Sequence, residues 1–236
     1  MWSLGGRANA DDEDATTTFV FTAPSEASYM TTWDERFASG TYPTDPDPSP
    51  VLERYTESLP DGRALDVATG TGRNALFLAE RGYEVDGLDQ SREGLRIARE
   101  TAEQQGLAAQ TNWIQADVPS YEFPESTYDV VTISFYRPMD RLPDIKQALK
   151  PDGVLFVQHH LRSADESVYE VGPDTDRYRF AANELLHACL DLTVLHYGET
   201  TEQRPDGRRA QHAQVVARNS HGSRQSAPDL GPVDSS

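Results

Sequence analysis

The sequence predicts an α/β protein: a doubly wound, mostly parallel sheet of seven strands with helices on both faces and an antiparallel last strand. Three observations carry this. Arg63–Ser91, RALDVATGTGRNALFLAERGYEVDGLDQS, reads as strand, small-residue turn, helix, strand and terminal acid. Strand-like and helix-like segments then alternate as far as Cys189. The last two strand-like segments are joined by GETTEQRPDGRRAQ, which has no room for a crossover helix and so makes a hairpin.

In chain order, residues 1–29 are polar, with DDED at Asp11–Asp14 and one apolar cluster at Phe19–Phe21, and are expected to be a disordered extension. A folded domain is expected over 30–219, beginning with MTTWDERF at Met30, and a Ser-, Pro- and Gly-rich disordered tail over 220–236. Pro43, Pro46, Pro48 and Pro50 make Thr41–Pro50 an extended strap. A short helix is expected over Val51–Leu59 and the first strand over Ala64–Val67. Arg73–Arg81 is helical, with Ala75, Leu76, Leu78 and Ala79 apolar, and Tyr83–Leu88 is the second strand, ending in Asp89. Ser91 caps a helix to about Gln105, with Leu95, Ala98 and Ala102 on one face. Thr111–Ala116 is the third strand. Tyr128–Phe135 is the fourth, and its unbroken apolar run suits burial on both faces. Leu142, Ile145, Ala148 and Leu149 mark a helix that exits through Pro151-Asp152-Gly153 into a fifth strand, Val154–Gln158. Ala182, Leu185, Leu186 and Cys189 stripe another helix, with Cys189 in the core, before strands at Leu192–Tyr197 and Ala213–Ala217.

The turn Ala68-Thr69-Gly70-Thr71-Gly72 lets backbone approach a ligand closely, and an acid ending the second strand suits the two hydroxyls of a ribose. Gly70–Ala75 also fits the dinucleotide pattern G-x-G-x-x-G/A, with Asp89 seventeen residues after Gly72, but alone that match carries little. Asp66, immediately before the turn, would repel a pyrophosphate. It would welcome a ligand with an ammonium and a sulfonium and no phosphate, which describes S-adenosylmethionine.

On these residues the chain resembles the class I S-adenosylmethionine-dependent methyltransferases, whose sheet is Rossmann-like, and within them the small tellurite-resistance-like (TehB-like) enzymes. Asp66-Val67-Ala68-Thr69-Gly70-Thr71-Gly72 stands on the family's acid-x-G-x-G-x-G, with Ala68 replacing the first glycine. GTGRNALFLAERGYEV (Gly70–Val85), QADV (Gln115–Val118), YDVVTISF (Tyr128–Phe135) and LKPDGVLFVQ (Leu149–Gln158) continue the likeness, with Asp152 where glycine is usual. The resemblance implies S-adenosyl-L-methionine as cofactor. It implies a cofactor site of Asp66, Ala68, Gly70, Gly72, Asn74, Asp89, Gln90, Ser91, Asp117, Val118 and Phe135, with Asp117 on the adenine amino group and Val118 against its ring. It also implies that the segment with Trp33, Arg36 and Phe37 folds over the cofactor.

In an open α/β sheet the ligand lies over the carboxyl ends of the strands. Arg137 follows the fourth strand there. It either holds an anionic acceptor or pairs with Asp140 or Asp144, and both readings stay open. His159 and His160 end the fifth strand; by alternation one enters the cleft, where it either takes a proton from an oxygen or nitrogen nucleophile or stands as a hydrogen-bonded structural histidine. Methyl transfer is an in-line displacement that needs alignment and exclusion of water, and no metal.

Composition bounds the partners. The net charge is −18, and the 21 basic residues include only two lysines, Lys146 and Lys150. Such a surplus of acid resembles the proteins of salt-accumulating halophiles, so the charge reflects solvation in brine more than a partner. No basic patch stands out beyond Arg204, Arg208 and Arg209, which disfavours nucleic acid without removing it. No run approaches the length of a membrane span, a lone cysteine allows no intrachain disulfide, and no secretion signal is evident, so a cytoplasmic protein is expected. The expected function is methyl transfer to a small-molecule acceptor. The alternatives are a methyltransferase acting on RNA or protein, an NAD-binding oxidoreductase, or a cofactor-binding protein without turnover. Oligomeric state and acceptor are not legible.

Overall fold

The computed structural model describes residues 27–40, 47–204 and 206–220. Residues 1–26, strap residues 41–46 and the tail from 221 lie outside these, so the expectations placed on them do too. The folded part begins earlier than the sequence indicated. Helix α1 spans Ala27–Ala38 and takes in residues 27–29. A tertiary contact explains why composition missed it: the carboxylate of Asp34 accepts from Ser91 Oγ at 2.5 Å and from the Glu93 N–H at 3.1 Å, docking α1 on the start of a later helix.

The strands are β1 (Arg63–Val67), β2 (Glu84–Asp89), β3 (Thr111–Gln115), β4 (Tyr128–Ser134), β5 (Leu149–His160), β6 (Thr193–Gln203) and β7 (Arg209–Arg218). They form one seven-stranded sheet in the order β3-β2-β1-β4-β5-β7-β6. Every neighbouring pair from β3 to β5 is parallel, and β7 runs antiparallel to both β5 and β6. The predicted doubly wound sheet with an antiparallel closing hairpin is therefore the observed one. The remaining helices are α2 (Pro50–Tyr55), α3 (Arg73–Glu80), α4 (Arg92–Gln105), α5 (Leu142–Gln147) and α6 (Glu184–Ala188).

Alternation along the strands fills two cores, one per face. Leu65, Val131, Leu155, Val157 and Val215 pack with Leu142 and Ile145 of α5 and with Leu185 of α6. Ala64, Val130, Val154, Phe156 and Val216 pack with α2, α3 and α4. β4 contributes to both, as its continuous apolar run required. Ser91 caps α4 as expected, its Oγ accepting from the Gly94 N–H at 3.0 Å.

Three local expectations change. The Pro151-Asp152-Gly153 turn is a bulge inside β5, which starts at Leu149; register slips between Tyr128↔Leu149 and Val130↔Val154. The cause is Asn219 at the far end of β7. Its carbonyl accepts from the Asp152 N–H at 2.7 Å, and its side-chain amide donates to the Leu149 and Lys150 carbonyls, each at 3.1 Å. The expected helix over Ala182–Cys189 is only α6, because Asn183 takes a left-handed φ of 61° with its N–H on Glu199, although Cys189 is buried as expected. The helix after the strap ends at Tyr55 and continues as a 3-10 turn, Thr56–Ser58.

Residues 161–183 form an excursion that periodicity did not announce, with 3-10 turns at Glu166–Glu170 and Asp176–Tyr178. Its centre is Arg179, which is fully buried. The guanidinium donates to the carbonyls of Pro173, Leu161, Val168 and Val171 at 2.7–3.1 Å and lies 4.2 Å over the Tyr169 ring. A single cation thus replaces the secondary-structure bonds that this loop lacks.

Candidate cofactor and acceptor site

The turn between β1 and α3 is held in left-handed backbone at Ala68 (φ 56°), Gly70 (φ 57°) and Gly72 (φ 90°). Gly70 and Gly72 also need to be small. A Cβ on Gly70 would lie 3.2 Å from the Phe37 ring of α1, and one on Gly72 would lie 3.1 Å from Ala98 Cβ of α4. Ala68 adopts the same backbone with a Cβ, at a strain of roughly 1–2 kcal/mol.

Asp66 lies beneath this turn. It is 2% exposed, and its carboxylate accepts from the hydroxyls of Thr69 and Thr132, each at 2.6 Å. The Ala75 N–H in the first turn of α3 also reaches it. Gly72, the N-cap of α3, offers no side-chain cap, so Asp66 performs that duty from the neighbouring strand. Burial raises its pKa, and these hydrogen bonds oppose the rise. Its oxygens are thus engaged beneath the turn, by Thr69, Thr132 and the start of α3.

Asn74 is likewise internal. Its amide donates to Ser134 Oγ at 3.0 Å and its oxygen accepts from the Ser49 N–H at 3.2 Å, while Ser49 Oγ donates to Gln158 at 2.7 Å. It ties the end of the strap to the ends of β4 and β5.

Asp89 stands where the sequence placed it, at the tip of β2. Its Oδ2 accepts from the Gly70 N–H and its Oδ1 from the Ser91 N–H, both at 2.8 Å. An ionised carboxylate has about four acceptor positions, so two bonds remain free for a pair of hydroxyls. Burial lifts its pKa to about 6 against those two bonds, with Asp66 and Asp34 raising it further. Gln90 follows it, half-buried, its carbonyl accepting from Gln115 at 3.3 Å. At the end of β3, Asp117 is half-exposed with its pKa raised by burial, and Val118 is buried beside it. Across the same edge, α1 places Phe37 against Gly70 and Gly94, with Trp33 stacked on Phe37 at 5.9 Å and Arg36 over Trp33 at 4.9 Å. The N-terminal segment therefore packs against the glycine turn.

Phe135 terminates β4 in a left-handed conformation (φ 60°), its N–H held by the Gln158 carbonyl at 2.8 Å. Its ring meets His160 at 5.1 Å and His212 at 5.4 Å, and the Arg73 guanidinium lies 5.6 Å over it. His160 and His212 are cross-strand partners on β5 and β7 with ring centroids 4.8 Å apart. His159 points through the opposite face, where its Nε2 hydrogen-bonds the Tyr178 carbonyl at 2.5 Å and its ring meets Phe180. Of the two histidines, His160 is thus the one on the Phe135 side. Desolvation holds His159 and His212 down to about 4 and His160 to about 2.

Arg137 pairs with neither Asp140 nor Asp144. Its Nη2 donates to Glu184 of α6, which also receives the Ala181 N–H at 2.8 Å, and its guanidinium lies 5.6 Å over Phe180. One amino group of the guanidinium is thus engaged by a carboxylate of the protein, while its Nε is buried without a hydrogen-bond partner. His212, packed against His160 and Phe135, is a residue that the sequence analysis did not single out. The signal was available: in AQHAQVVAR the alternation that buries Val216 puts His212 on the face of Gln158 and His160.

The glycine turn, Asp89 and Asp117 lie together on the carboxyl edge of an α/β sheet. Residues 64–153 match the family model described as a methyltransferase domain. The chain is 40% identical over 102 residues to a demethylmenaquinone methyltransferase of Thermus thermophilus, covering 40% of this chain and 46% of that one. It is 34% identical over 157 residues to the ubiquinone/menaquinone biosynthesis C-methyltransferase UbiE of Azotobacter vinelandii, covering 61% and 60%. The chain thus spans about half the length of the curated relatives it matches. The solved structure of TehB from Haemophilus influenzae superposes with a TM-score of 0.65 at 19% identity, covering 79% of this chain and 67% of that one. The fold is the seven-stranded α/β methyltransferase fold.

Proposed function

We propose that the protein is an S-adenosylmethionine-dependent methyltransferase acting on a small-molecule acceptor, of the tellurite-resistance-like kind, working in the cytoplasm. The observation that carries the reading is Asp89. It is buried at the tip of β2, oriented by the Gly70 and Ser91 N–H groups, and keeps acceptor positions for two ribose hydroxyls. The methyltransferase-domain match over residues 64–153 supports it. The residues fit the cofactor: Gly70 and Gly72 form the floor, Asp89 takes the ribose, Asp117 and Val118 take the adenine, and Phe37 with Trp33 closes the top. S-adenosylmethionine supplies an electrophilic methyl group. The chain's part is to align the acceptor with it and exclude water. The NAD alternative is disfavoured by the antiparallel β7 inserted beside β5. The surplus of acid over lysine supports solvation in brine.

Isothermal titration calorimetry of the full chain in molar KCl tests the reading. S-adenosylhomocysteine should bind saturably and NADH should not. Binding of NADH with no response to S-adenosylhomocysteine refutes it.

A further inference from the structure

Two imidazole nitrogens on the Phe135 face of the sheet are buried without a hydrogen-bond partner: His160 Nδ1 and His212 Nε2. An unpartnered buried polar atom costs roughly 1–3 kcal/mol, so folded proteins rarely keep one without a use. Here both lie within one strand-end cluster, 98% and 95% buried for His212 and His160 respectively, since their exposures are 2% and 5%. Gly172 closes the cluster behind His160, since a Cβ there would collide with Nε2. Among the described residues, no group of histidines, cysteines and carboxylates converges to hold a metal.

The tautomer of His212 is set by its surroundings. Its Nδ1 faces Glu202 Oε2 at 3.6 Å and its Nε2 has no hydrogen-bond partner, so we assign the ring proton to Nδ1 and the lone pair to Nε2. Desolvation, with the fields of Arg204, His159, Arg179 and Arg73, keeps the ring neutral at pH 7. Thr200 of β6 is the cross-strand partner of His212, and Glu202 stands two residues further along that strand, on the same face. The His212 ring meets Phe135 edge to face, and Phe135 lies under the guanidinium of Arg73, the residue that follows Gly72 of the glycine turn.

We infer that His212 is the proton acceptor of the transfer, with Glu202 as its positioning residue, and that the methyl acceptor binds against Phe135 as a neutral hydroxyl compound. The inference rests on the methyl-transfer reading and deepens it. What the lone pair lacks is a donor, and an O–H supplies one. As the acceptor oxygen takes the methyl group, the carbon–sulfur electron pair returns to sulfur and the hydroxyl proton passes to Nε2, giving an imidazolium faced by the Glu202 carboxylate. Release of that proton to water restores the base. His160 lies beside it and supplies the second wall.

The test uses the full chain with nitrogen-15-labelled histidine, saturated with S-adenosylhomocysteine, and 4-nitrophenol as the probe at a pH where it is un-ionised. Histidine nitrogen NMR should place the proton of His212 on Nδ1. The probe should bind saturably and move the Nε2 resonance toward the protonated position. Glu202→Gln should shift the tautomer ratio toward Nε2–H. His212→Gln and His212→Phe, the second of which fills the volume without a nitrogen, should each weaken probe binding at least tenfold while S-adenosylhomocysteine affinity stays within twofold. A proton on Nε2 in the unaltered protein, or probe binding indifferent to both His212 variants, overturns the inference. Failure to bind S-adenosylhomocysteine instead overturns the methyl-transfer reading, and the tautomer result is read independently of it.

Discussion

Cofactor affinity should fall as the pH is lowered through 6, and Asp89 should be the cause. Asp89 is 7% exposed, and burial raises its pKa from the ordinary carboxylate value to about 6. The direction matters for both stability and binding. The folded protein takes up this proton as pH falls through 6, whereas the unfolded chain takes it up only near the ordinary value of about 4. Protonation therefore relieves a folded-state penalty between about pH 6 and 4, and stability from this group rises as pH falls across that window. Binding moves the opposite way, because the ribose hydroxyls donate to the carboxylate and a protonated Asp89 accepts poorly. At pH 5 only about a tenth of the molecules carry it ionised, so the apparent Kd should rise about tenfold over its value at pH 7.5, or ~1.4 kcal/mol. The assay is calorimetric titration with S-adenosylhomocysteine at pH 7.5, 6 and 5 in constant salt. Asp89→Asn should bind more weakly throughout, by about 1–3 kcal/mol for the lost charge-assisted bonds, and should lose most of the pH dependence. Asp117, whose pKa burial also raises, stays in place in that variant and serves as the control. An affinity at pH 5 within twofold of that at pH 7.5, or an Asp89→Asn variant with the unaltered pH profile, would refute the reasoning.

Three further outcomes follow from the same structure. Ala68→Gly removes a Cβ from left-handed backbone, worth roughly 1–2 kcal/mol, against about 0.5–1 kcal/mol of added unfolded-state entropy, so urea unfolding should show a net gain of about 0.5–1 kcal/mol; a loss would mean that the turn is not strained. Arg179→Met strips four carbonyls of their shared donor and should destabilise by about 3 kcal/mol or more, with residues 161–183 the first to lose amide-exchange protection; a variant as stable as the parent would show the guanidinium to be dispensable. The melting temperature should rise between about 0.1 and 2 M KCl, because a net charge of −18 repels itself over a Debye length of about 10 Å at the lower salt and under about 3 Å at the higher; an unchanged melting temperature would contradict this.

The sequence by itself determined what short-range patterns encode. The glycine turn, the acid ending β2, the Ser91 cap, the doubly buried β4 and the closing hairpin are each written within a few residues, where backbone sterics and periodicity act. Only the tertiary structure decided which side chains meet across long separations. Asp66 precedes a glycine turn, which suggested a ligand contact, but Thr132 on β4 and the start of α3 claim its oxygens from within the fold. Arg137 has acids three and seven residues onward, yet its partner is Glu184 on another helix. Asn219 turned a turn into a bulge from the opposite end of β7. Arg179 has no periodic signature at all, because its partners are backbone carbonyls that every residue type supplies. His212 meets His160 through the antiparallel register that sets the two opposite each other, and register is a property of paired strands, which no single stretch of chain contains.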